Sequence, residues 1–189
     1  MTATLVNDGP RPAVRLERHL PDPPAIVWRA LTEREQLRSW FPSDVVVDGG
    51  EWVVGAAITF AFPPEVIDMT LTGEVLEVNE PHLLAFTWGE ETLRFELVDQ
   101  DGGTRLVLTD ELPAGAAARN AAGWETCLDM LVGRKPGPND WQPRFDAYAA
   151  AFEPVLGPQE GPPAGYKGDT PSARRGGELD AQANERGGK

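Results

Sequence analysis

The chain has 189 residues, enough for one domain and at most two, and its 41% hydrophobic and 25% charged side chains describe a globular protein. With 30 acidic against 17 basic side chains, the formal net charge is -13, which repels nucleic acid and anionic membrane surfaces. One cysteine (Cys127) and two histidines (His19, His82) exclude an intrachain disulfide, disfavour zinc sites, and fit a cytoplasmic protein without metal or cofactor.

No apolar run approaches the ~20 residues of a membrane helix. Met1 to Pro12 lacks the basic start and apolar stretch of a secretory signal, and residues 1–12 are expected to be flexible. Val14, Leu16, Arg18 and Leu20 then alternate with Arg15, Glu17 and His19, which is a strand period. Asp22-Pro23-Pro24 predicts a helix start, with an Asp cap and a Pro at the first helical position. Ile26, Val27, Ala30 and Leu31 form the apolar stripe of that helix. Thr32 to Glu35 fits a capping box for a short second helix, ended by Pro42 after Trp40-Phe41.

Six strand-like segments follow: 51–54, 57–62, 67–78, 83–88, 92–98 and 104–110. Gly89-Glu90 and Asp101-Gly102-Gly103 are short enough for hairpin turns. In the long segment the apolar parity changes between Val75 and Leu76, so a bulge near Val75 would bend the strand. The last third is helical. Trp124, Cys127, Leu128, Leu131 and Val132 repeat at helical spacing, with Gly133 or Gly137-Pro138 as the stop. Trp141, Phe145, Tyr148, Phe152 and Val155 form a second stripe after Asn139-Asp140. From Gly157 onward, eight glycines and four prolines in 33 residues predict a disordered tail over 156–189. The domain proper is placed at 13–155. The fold class is α+β: a curved antiparallel sheet wrapped around a long C-terminal helix, with one extra helix.

Chemistry is sparse. Serine nucleophiles would have to use Ser39 or Ser43 with His19 or His82, and both histidines read as solvated. Glu90-Glu91 are adjacent and expected to diverge into solvent, and Asp44 and Asp48 fall in a loop-like stretch. Cys127 reads as a small core residue. No catalytic or metal-binding residue is assigned. Arg18 shares the parity of Val14, Leu16 and Leu20, so it faces inward and needs a carboxylate, water or the polar end of a ligand. Trp40, Phe60, Phe62, Met69, Phe86, Trp88, Phe95, Trp124 and Leu128 line the same interior. They pack a solid core or line an apolar ligand pocket, and both readings require the same pattern.

Three stretches, Asp22 to Thr32, Leu37 to Phe41 and Gly123 to Leu131, together resemble the activator-of-heat-shock-protein-90-ATPase homologue family. That family lies within the START-like (SRPBCC) superfamily of helix-grip folds. The resemblance spans about residues 13 to 155. It implies a cavity between sheet and long helix that holds a hydrophobic molecule, with non-catalytic binding as the expected function. It also implies two alternatives: a chaperone-interaction module, and an enzyme of the cyclase or hydrolase kind.

Overall fold

The computed structural model describes residues 3–137 and 140–167. Eight antiparallel strands form one sheet in the order β1-β2-β8-β7-β6-β5-β4-β3. They are β1 (Thr4–Val6), β2 (Ala13–Leu20), β3 (Asp44–Val47), β4 (Ala57–Ala61), β5 (Thr70–Asn79), β6 (Leu83–Trp88), β7 (Glu91–Gln100) and β8 (Gly103–Glu111). The helices are α1 (Pro24–Thr32), α2 (Arg34–Leu37), α3 (Ala117–Leu131) and α4 (Trp141–Leu156). This is the helix-grip α+β arrangement that the element order predicts. Among the described residues, no helix is long and apolar enough to cross a membrane.

Alternation builds the central strands. Leu93, Phe95 and Leu97 of β7, and Leu106 and Leu108 of β8, are almost wholly buried, as period-2 side chains on an inward face must be. The bend expected near Val75 is present as a register shift between Val75 and Glu77. Just before it, β5 passes so close to β6 that only glycine fits. A Cβ on Gly73 would stand 1.9 Å from the Thr87 carbonyl oxygen and 3.0 Å from the Phe60 ring. The Thr87 hydroxyl oxygen accepts the Glu74 backbone N–H at 2.9 Å.

α3 lies across the concave face. Its first half is built from Ala117, Ala118, Ala121 and Ala122, all fully buried, and these small side chains allow close approach. Trp124, Cys127 and Leu128 continue the buried stripe, and Gly133 follows the helix at φ 77°, the left-handed stop that glycine favours. α4 packs on α3 through Tyr148 and Phe152.

Several expectations are corrected. Thr4–Val6 pairs with Ala13–Arg15 as an edge strand, so the N-terminal residues 4–6 are not loose chain. Residues 51–54 form no strand. Val53 and Val54 are exposed there, while the Trp52 indole N–H donates to the Thr32 carbonyl at 2.9 Å. β3 occupies a stretch read as loop. The cap of α1 is Pro23, without a side-chain cap bond. Its buried stripe is Pro24, Val27, Trp28 and Leu31, whereas Ile26 is exposed. No capping box forms, because the Thr32 hydroxyl turns back to the Trp28 carbonyl at 2.8 Å. Val155 is exposed rather than part of the α4 stripe.

Residues 157–167, expected to be disordered, run back along the domain. Gln159 Oε1 accepts the Ala118 N–H at 2.9 Å, meeting one of the four donors that a helix start leaves unpaired. The Glu160 N–H donates to the Gly115 carbonyl at 2.8 Å, and the Lys167 N–H to the Val66 carbonyl at 2.9 Å. The rest of the expected tail, 168–189, lies outside the described residues.

Candidate functional site

The nine apolar residues expected in the interior divide into a sealed wall and a half-open margin. Trp40, Phe60, Phe86, Phe95, Trp124 and Leu128 are at most 3% exposed. The rings form a continuous chain: Trp40 to Phe95 at 6.2 Å, Phe95 to Phe86 at 6.0 Å, and Phe86 to Phe60 at 5.8 Å between centroids. Trp88 joins it through Phe41 at 6.2 Å and also touches Trp124 at 5.3 Å, and Phe62 touches Trp88 at 6.0 Å. Phe62, Met69 and Trp88 are only half-buried. Phe62 directly follows β4, Met69 directly precedes β5 and Trp88 ends β6, and the Phe62 N–H donates to the Met69 carbonyl at 3.0 Å, so they mark one end of the concave face.

Phe41 is an unpredicted hub. Its ring touches Trp40, Phe60, Phe86, Trp88 and Trp124. The sequence places it at the end of the short second helix and in the family-like stretch Leu37 to Phe41, not in the interior.

Arg18 faces inward as its parity predicts, and it meets a carboxylate. Its Nη2 donates to Asp129 Oδ1 of α3 at 3.2 Å, with both side chains 10% exposed. Asp129 Oδ2 also accepts from Arg144 of α4 at 2.8 Å. This triad ties β2, α3 and α4 together.

A second buried polar group sits at the aromatic margin, and sequence reasoning missed it. Asp110 is 0% exposed. Its Oδ2 accepts the Trp124 Nε1–H at 2.8 Å and Asn120 Nδ2 at 2.9 Å. Asn120 Nδ2 also donates to Glu91 Oε2 at 2.7 Å, so one amide uses both protons to hold two carboxyls together. Both carboxyls are pushed above the ordinary carboxylate range. Burial is the larger cause for each, and for Glu91 the charge of Asp110 adds to it. Glu91 is therefore not the solvated surface acid expected. The missed signal is parity: Glu91 continues Leu93-Phe95-Leu97, and Asp110 continues Leu106-Leu108. Each is a carboxyl on the inward phase of its strand.

The remaining candidates lie elsewhere. His19, His82 and Ser39 are exposed, whereas Ser43 is buried. Asp44 sits on β3 between Arg34 and Arg38, whose hydrogen bonds hold its carboxyl well below the usual range. Burial pushes the Cys127 thiol up to about 12, which makes it inert as a nucleophile. Among the described residues, no three His, Cys, Asp or Glu side chains converge as a metal ion's ligands would.

Comparison with known proteins agrees with this architecture. Residues 22–134 match the model of the family described as Activator of Hsp90 ATPase homolog 1-like protein. Among solved structures, EF2215 from Enterococcus faecalis, a conserved protein of unknown function, superposes with a TM-score of 0.68 at 25% identity, covering 81% of this chain and 91% of that one. CalU16 from Micromonospora echinospora has a TM-score of 0.61 at 20% identity, covering 80% and 95%, a likeness of fold alone. NE0264 from Nitrosomonas europaea has a TM-score of 0.55 at 25% identity, covering 64% and 92%. No protein of curated function matches the chain.

Proposed function

The chain belongs to the family of Activator of Hsp90 ATPase homolog 1-like proteins, and from that premise we propose that it binds a small, largely apolar molecule between the sheet and α3. The observation that carries this reading is the half-open margin. Phe62, Met69 and Trp88 leave apolar surface uncovered directly beside the sealed Trp124 and Phe60. A flat apolar molecule seated there would extend the ring chain by one member. Burying roughly 200 Å² of such a ligand would contribute about 5 kcal/mol at ~25 cal/mol per Å². Arg18, engaged with Asp129, fastens α3 to the sheet and so fixes the far wall of the site.

Native mass spectrometry of the freshly purified chain, before and after organic extraction, tests the reading together with equilibrium dialysis against naphthalene. The expected result is a non-covalent adduct lost on extraction, or saturable naphthalene uptake by the extracted chain. Absence of both overturns the reading.

Acid–base chemistry of the cyclase or hydrolase kind is the second reading, and the Glu91–Asp110 pair favours it. A buried and a half-buried carboxyl at one aromatic wall are the groups such chemistry needs. This reading expects a bound ligand to be turned over, and Glu91→Gln to stop turnover. A ligand recovered chemically unchanged after prolonged incubation supports binding alone. A chaperone-docking role rests on the family's description alone.

A further inference from the structure

The aromatic margin holds two polar atoms that the fold buries and does not pair. Asp110 Oδ1 and the Trp88 Nε1–H are sealed from solvent, and neither has a hydrogen-bond partner among the described residues. Leaving one such group unmet costs roughly 1–3 kcal/mol, and native folds rarely tolerate it without a partner from outside the chain.

The two residues lie on one face of the sheet, and Trp124 touches both. Trp88 pairs with Glu91 across β6 and β7, and Leu93 pairs with Asp110 across β7 and β8. Trp88 and Asp110 therefore share the inward face on either side of one short stretch of β7. Trp124 spans them. Its ring lies 5.3 Å from that of Trp88, and its own N–H occupies the other Asp110 oxygen at 2.8 Å. The surrounding surface is aromatic, formed by Phe41, Phe62 and Trp124.

The chemistry of the two atoms limits what can meet them. An indole N–H only donates. Asp110 already accepts two N–H bonds on Oδ2; these oppose the larger upward push of burial on its carboxyl and leave Oδ1 as the acceptor without a partner. A carboxylate or phosphate would face the Asp110 charge. An ammonium would satisfy Oδ1 and leave the indole unmet. A hydrocarbon would leave both unmet. A hydroxyl accepts with its oxygen and donates with its proton, so it complements the pair.

We propose that Asp110 Oδ1 and the Trp88 indole N–H form the polar subsite of the apolar site, and that they select an uncharged, flat aromatic ligand bearing a hydroxyl group. This rests on the apolar-binding reading above and names the class of ligand it takes.

Equilibrium dialysis of the full chain at pH 7 against naphthalene, 2-naphthol and 2-naphthoate tests the proposal. Naphthalene reports the apolar site alone, and the other two report the added group. The expected result is 2-naphthol bound about tenfold more tightly than naphthalene, with 2-naphthoate the weakest of the three. In Trp88→Phe, which keeps a ring and removes the N–H, the naphthol-to-naphthalene ratio should fall to about threefold or less, the loss of one net hydrogen bond. Equal binding of naphthol and naphthalene would overturn the subsite and leave the apolar site standing, with water meeting the two atoms. A ratio unchanged in Trp88→Phe would also overturn it. Binding of none of the three probes would overturn the subsite, and with no adduct in the purified chain it would overturn the apolar-binding reading as well. If Trp88→Phe does not fold, the wild-type ratio decides.

Discussion

Glu91→Gln should flatten the dependence of stability on pH. In the folded chain Glu91 is pushed up to about 8 by burial and by the charge of Asp110, whereas in the unfolded chain it ionises near the ordinary value of about 4.3. The folded state therefore holds the extra proton between those limits. The associated stability is fully present below about pH 4 and is lost as pH rises through about 8. The gap corresponds to a ceiling of about 5 kcal/mol at ~1.4 kcal/mol per pH unit, and the solvent-facing edge of Glu91 reduces this to about 2–3 kcal/mol. Arg11 and Arg119 face both carboxyls and pull in the opposite direction, and they remain in the variant. Gln keeps an oxygen to accept from Asn120 and loses the titration. Urea unfolding at pH 5 and pH 9 measures the effect. Wild type should lose about 2–3 kcal/mol over that interval, equivalent to roughly 5–10 °C in Tm, and Glu91→Gln should lose clearly less, keeping only the part due to the buried Asp110. Parallel curves for the two proteins would refute the buried pair.

Three further substitutions test the scaffold. Gly73→Ala forces a Cβ to within 1.9 Å of a backbone carbonyl, and chemical denaturation should show a loss of about 2–4 kcal/mol. Asp129→Asn leaves the buried Arg18 and the Arg144 guanidinium without their shared carboxylate, and should cost about 3 kcal/mol in the same assay. Gly123→Ala should instead stabilise by up to about 1 kcal/mol. The new Cβ meets no atom of the described residues within 4 Å, and alanine is the better helix former. A lower Tm for this variant would show that α3 needs the glycine.

The fold was legible where one physical signal dominates. Alternation in β7 and β8, the bulge at Val75, and the stripe from Trp124 to Leu128 all follow from periodicity and appear at the expected places. Errors arose where local signals compete. Glu51 to Val54 is rich in strand formers, yet Trp52 is drawn to the Thr32 carbonyl instead of a ladder. Asp44 to Val47 carries three consecutive valines with no alternation, and it becomes a strand because β4 supplies a partner. Gln159 looked like tail, and its ordering depends on unpaired donors at the start of α3 that no local sequence reading supplies. Strand alternation and helical spacing place Trp40, Phe60, Phe86, Phe95, Trp124 and Leu128 in the interior, and all six are buried. The Glu91–Asp110 pair was not read, although parity placed both carboxyls inward, because its stability depends on Asn120 and Trp124 arriving from α3. That crossing is a tertiary fact. The unmet atoms on Asp110 and Trp88 are visible only once it has been made.

The central claim is tested most directly by a ¹⁵N-resolved NMR titration of the full chain with 2-naphthol, following the indole N–H signals of its six tryptophans. The account predicts saturable movement of the Trp88 signal, which gains a hydrogen bond, and of the Trp124 signal, whose ring adjoins Trp88. The Trp141 signal, from a ring stacked on Phe145 of α4, should remain fixed. A Trp88 signal that does not move while Trp141 shifts would place the ligand elsewhere and contradict the account.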